Sequence, residues 1–190
     1  MTTLHPNPKR LCLHKEPKDA YGLLQHYVAD LVYGGTDGVL TTFAVVAGIT
    51  GGALSARAVV IVGLANLLAD GLAMGVGNYL SIRARESALE RQHQPEVESQ
   101  PIRHGLATML AFIGAGIVPL VPYLVPDLSD RFGVAIVCAL AVQFGIGAAQ
   151  TVVTAGRWWI SGTIMLCLGS LVALVAYGTG SGVAWILQNE

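Results

Sequence analysis

From residue 105 to residue 189 the chain carries charged side chains at only four positions, Asp127, Asp130, Arg131 and Arg157. They divide this stretch into three charge-free runs, 105–126, 132–156 and 158–189, each as long as the ~20 residues a helix needs to cross a hydrocarbon layer. Two more runs complete the pattern: 31–56 has Asp37 as its one charge, and 58–82 has Asp70. Lipid offers no hydrogen-bond partners, so a spanning segment must satisfy its backbone internally, which at this length means helix. The pattern predicts an all-α membrane protein with five transmembrane helices, over residues 31–56, 58–82, 105–126, 132–156 and 158–180. A composition of 53% hydrophobic and 12% charged residues is also that of a membrane chain.

Residues 1–29 hold Lys9, Arg10, Lys15 and Lys18 between prolines and have no apolar core, so they read as a cytoplasmic tail and not a cleaved signal. Residues 30–190 form the transmembrane domain, interrupted by a short cytoplasmic linker at 83–104. With the N-terminus in the cytoplasm, Arg83, Arg85, Arg91, Arg103 and Arg157 join the tail's cations, and Arg57 and Arg131 fall on the far side. That asymmetry follows the positive-inside rule and implies a multi-pass protein of a cell inner membrane, with the lipid bilayer as its first partner. A net charge of −1 argues against a nucleic-acid partner. Cys12, Cys138 and Cys167 show neither disulfide nor zinc spacing, and His5, His14 and His26 read as tail residues without a role. No Ser or Cys nucleophile stands beside a base within the spans, so an intramembrane hydrolase, and with it an enzyme, is not supported.

The stretch "YGGTDGVLTTFAVVAG" places Asp37 in the first apolar run. Taken alone, TDG is a turn signal, but the uncharged flanks are long enough to cross a bilayer. An aspartate in mid-span costs about 2.5–3.5 kcal/mol on insertion scales and marks an ion or proton path by default; the structural alternative is an interhelical hydrogen bond by a carboxylic acid. Asn66, Asp70, Met74 and Asn78 recur every four residues along one stripe of the second span, and Asp30, Gly34, Asp37 and Thr41 form a similar stripe on the first. Carboxylate and amide oxygens with a thioether sulfur form a mixed site. The sulfur shifts preference from magnesium and calcium toward transition metals such as ferrous iron or cobalt. Metal and proton compete for the same carboxylates, which makes Asp37 and Asp70 candidates for proton coupling as well as for metal binding.

The stretches "DLVYGGTDGVLTTFAVVAGITGG" and "GLANLLADGLAMGVGNYLS", with "GIGAAQTVVTAGRWWISG" more loosely, resemble the vacuolar iron transporter family. The resemblance implies a homodimer of five-helix subunits that exports Fe2+ from the cytoplasm in exchange for protons, through a path at the dimer interface lined by the first span. Fe2+ (or Mn2+ or Co2+) is then transported substrate, H+ the coupling ion, and no cofactor is permanently bound. By motif, the family's path aspartate and methionine fall on Asp37 and Met74. Eukaryotic members carry a glutamate eight residues before that methionine, where this chain has Asn66, and Asp70 stands ready to supply the charge.

The family also inserts a metal-collecting helical domain between the second and third spans. Here the linker holds Glu86, Glu90, His93, Glu96, Glu98 and His104. Glu86, Glu90 and His93 share a helix face and could attract metal loosely, but the interleaved Arg83, Arg85 and Arg91 favour a solvated charged helix. Iron loading would then be weaker or depend on a separate cytoplasmic iron donor. The alternative function is a non-transporting membrane scaffold or regulatory subunit whose Asp37 and Asp70 are protonated packing groups.

Overall fold

The structure is a computed structural model and describes residues 17, 19–94, 97–98, 100–154 and 156–189. The tail cations Lys9, Arg10, Lys15 and Lys18, with His5, Cys12, His14 and Glu96, lie outside the described residues. Five helices are long and apolar enough to span a bilayer: α1 (Ala20–Gly51), α2 (Ala56–Arg91), α3 (Pro101–Leu124), α4 (Arg131–Val152) and α5 (Trp158–Gln188). No strand occurs among the described residues, so this is an all-helical, multi-pass membrane protein.

The helix ends follow capping chemistry and not hydropathy. Asp19 accepts the Gly22 N–H at 2.8 Å and starts α1, Ser55 accepts that of Ala58 at 3.3 Å, and Asp130 accepts that of Gly133 at 2.8 Å. Side-chain oxygens at these positions satisfy N–H groups that the first turn leaves without partners. Residues 20–29, expected as tail, are therefore helical. At 32 residues, α1 is about 48 Å long and outruns a hydrocarbon core of ~30 Å. Its N-terminal turns project from the same end of the bundle as the C-terminal turns of α2. Within α3, the prolines of "VPLVPYLVP" tighten the helix into a 3₁₀ turn at Val118–Leu120 before the final turn, Val121–Leu124, as expected where proline removes backbone donors.

The interior is one cluster around α1: Val39, Phe43 and Val46 meet Val59 and Leu67 of α2, Phe112 and Leu120 of α3, and Ala135 and Ala139 of α4. The outer surface is apolar as well. Leu68 and Leu72 are each 58% exposed and Leu174 is 72% exposed, which suits a chain solvated by lipid. Close approach of α1 to α3 depends on two glycines. A Cβ on Gly34 would lie 2.3 Å from the Thr108 carbonyl oxygen, and one on Gly38 would lie 2.2 Å from that of Phe112. With that pair pressed against α3, Asp37 is turned 60–100° around the helix and comes to face α2.

Candidate functional site

Between α1 and α2 lies a cavity of about 470 Å³, lined by Tyr33, Asp37, Asp70, Met74, Asn78 and Ser81 among others. It brings together three of the four residues expected to hold metal, Asp37, Asp70 and Met74. The fourth, Asn66, is attached to the group through Asp70, whose Oδ2 accepts a hydrogen bond from Asn66 Nδ2 at 2.8 Å. The four-residue spacing on α2 explains the arrangement, since side chains at that spacing stack along one helix face. Asp37 also borders a second space of about 500 Å³ between α1, α4 and α5, which contains Gln150 and Met165. Tyr33 and Ser81 were not singled out in the sequence; each stands on a lining face, Tyr33 one turn before Asp37 and Ser81 seven residues after Met74.

The stripe on α1 divides its tasks. Thr41 donates its hydroxyl to the Asp37 carbonyl at 2.8 Å, Gly34 serves the contact with α3, and Asp30 belongs to a polar knot at the end of the bundle. There Asn78 Nδ2 donates to Asp30 Oδ1 at 2.6 Å and to Thr108 Oγ1 at 2.7 Å. It also reaches the His104 carbonyl at 3.3 Å. Asn78 therefore touches both the cavity and this knot.

The linker differs from its expected form in two ways. Helix α2 ends at Arg91, and His93 lies past it with a positive φ of 56°, so Glu86, Glu90 and His93 do not share one continuous helix face. Glu86 uses both carboxylate oxygens on the returning chain, accepting the N–H of Val97 at 3.1 Å and of Glu98 at 3.0 Å; Glu90 and His93 are exposed. His26 is no tail residue. It sits in α1 with its side chain 3% exposed, 3.5 Å from Glu98, a long-range contact for which the sequence holds no local signal.

The cavity's donor set is hard carboxylate and amide oxygen plus one soft sulfur. Such a set can bind a divalent first-row metal and release it, because oxygen ligands keep affinity moderate while the thioether discriminates against magnesium and calcium.

Comparison with known proteins places this geometry. A Toxoplasma gondii protein named vacuolar iron transporter is 49% identical over 70 residues, covering 37% of this chain and 23% of its own length. A Plasmodium berghei protein of the same name is 31% identical, across 52% of this chain and 36% of its own. Oryza sativa vacuolar iron transporter 2 aligns across 82% of this chain and 87% of its own length at 23% identity. The matched stretches thus span well under half of the two protozoan proteins. The model of the VIT family matches residues 28–98 and 86–181, which includes the residues that line the cavity, and the chain belongs to that family.

Proposed function

We propose that this protein is a proton-coupled exporter that carries Fe2+, or Mn2+, out of the cytoplasm across a cell inner membrane. The observation that carries the reading is the convergence of Asp37, Asp70 and Met74 on one cavity between two membrane-spanning helices. Acidic side chains are costly at such depth, and a water-filled path visited by cations is what offsets the cost. The names of the relatives, all vacuolar iron transporters, support iron as the substrate. A proton that returns to Asp37 or Asp70 when metal leaves would couple the two fluxes, since metal binds such groups only when they are deprotonated.

The arginines support the membrane orientation in this reading. Arg83, Arg85, Arg91, Arg103 and Arg157 lie at the end of the bundle where α1 begins, and Arg57 and Arg131 lie at the other, so that first end is assigned to the cytoplasm. A homodimer is the assembly in this reading. Ala65, Ala69, Ala73 and Gly77 line an exposed small-residue face of α2 beside Asp70 and Met74, and such faces let two helices approach closely. Two copies would close the cavity between them.

One observation favours the competing scaffold reading: Asn66 satisfies one oxygen of Asp70, as it would for a packing carboxylate. Transport separates the two. Purified protein in proteoliposomes with an imposed proton gradient should move Fe2+, and Asp37→Ala should abolish the flux; wild-type flux from that variant would remove Asp37 from the path, and no flux from the wild-type protein, with stability unchanged in Asp37→Asn and Asp70→Asn, would favour the scaffold.

A further inference from the structure

At the arginine-bearing end of the bundle, three residues from three separate segments converge: His26 of α1, Glu98 of the linker and His104 in the first turns of α3. Their candidate donor atoms all lie within 4.8 Å of one another. Glu98 Oε2 is 3.1 Å from His104 Nε2 and 3.5 Å from His26 Nε2. The group is buried, with Glu98 at 7% and His104 at 9% exposure. The Tyr27 ring walls it at 4.6 Å from the His26 ring and 4.8 Å from that of His104.

Two features mark it as built and not accidental. His104 Nδ1 lies 2.5 Å from Asp30 Oδ2; a carboxylate only accepts, so Nδ1 carries the hydrogen, and Nε2 is the ring atom turned toward Glu98, able to ligate a metal whenever it carries no proton. That nitrogen is buried and makes no hydrogen bond. Glu98 is held just as firmly: its backbone N–H is fixed by Glu86, and its Oε1 accepts the Gln100 N–H at 3.0 Å, which leaves Oε2 to the two imidazoles. A lone pair and a carboxylate oxygen 3.1 Å apart in a buried pocket repel unless positive charge lies between them. A proton bridges two atoms, whereas a metal ion draws on all three donors.

We infer that His26, Glu98 and His104 bind a divalent first-row transition metal, with Asp30 as the positioning residue that orients His104. Two imidazoles and one carboxylate suit ferrous iron, cobalt or zinc and disfavour magnesium and calcium. A carboxylate behind the ligating histidine is the usual support in such sites. Asn78, bonded to Asp30 and lining the cavity of Asp37 and Met74, connects the two places, so the site is positioned to load the cavity. Binding stands by itself; the loading role rests on the proposed transport.

The test uses full-length protein in detergent, titrated with Co2+ and read by X-ray absorption, whose outer-shell scattering identifies imidazole. No described histidine lines the cavity, and the protein carries His5→Gln, His14→Gln and His93→Gln throughout, so ring scattering reports this site alone. Wild-type protein should show imidazole-bound Co2+, His104→Gln should lose it, and Asp30→Asn should weaken binding by about 10–100-fold, with circular dichroism confirming intact helices. Wild-type Co2+ without imidazole scattering, or His104→Gln with unchanged imidazole signal and affinity, overturns the site whatever the transport assay gives. Imidazole-bound Co2+ in wild-type protein that moves no metal in proteoliposomes upholds the site and refutes transport. In a transporting protein, His104→Gln should lower flux at limiting metal and leave it unchanged at saturating metal; equal flux at both refutes loading.

Discussion

Replacing Gly38 by alanine tests whether the α1–α3 contact sets the position of Asp37. The added methyl would meet the Phe112 carbonyl oxygen at 2.2 Å, whereas an ordinary C···O contact is about 3.3 Å, so the helices must part by about 1 Å. The obstacle is backbone in the middle of a helix and cannot rotate aside. Overpacking of this kind costs about 1–3 kcal/mol, and so close an encounter belongs at the upper end. Alanine's better helix propensity returns about 1 kcal/mol, for a net loss of about 2 kcal/mol. Gly114 supplies the contrast: nothing lies within 4 Å of a Cβ there, so Gly114→Ala keeps the propensity gain and should stabilise by up to about 1 kcal/mol. Reversible unfolding in mixed micelles, followed by circular dichroism, reads both variants. If Gly38→Ala proves as stable as Gly114→Ala, the close α1–α3 contact does not govern the fold. Metal flux should fall in Gly38→Ala alone, since Asp37 moves with α1.

Other consequences follow from individual side chains. Met74→Leu keeps volume but removes the sulfur, so proteoliposome transport of iron and cobalt should fall more than that of manganese; an equal loss for all three metals would refute a ligand role. Asn78→Leu leaves Asp30 and Thr108 without their amide donor and should cost about 1–3 kcal/mol in the same unfolding assay. A change below about 0.5 kcal/mol, typical of a surface substitution, would contradict the structural importance of that knot.

How much of this was legible in the sequence depended on what each signal reports. Runs with no more than one charge report where lipid lies, and they predicted the five long apolar helices that the structure has. They are silent on where a helix starts: Asp19 lies well before the apolar segment of α1, because capping and solvated turns extend a helix into water. Asp37, Asp70 and Met74 were legible because an acid in an apolar run is rare and a four-residue spacing defines a helix face. The convergence of His26, Glu98 and His104 was not. Positions 26 and 104 meet only because α1 overshoots the membrane and α3 begins beside it, and Glu98 joins them through a linker tied down by Glu86. Local periodicity carries no information about such a meeting.

The most direct test of the proposed coupling is a proteoliposome assay that records Fe2+ uptake and internal pH at the same time. Exchange predicts metal entering as protons leave, with both fluxes lost together in Asp37→Ala. Metal movement with no opposing proton movement would contradict the role given to the two cavity carboxylates.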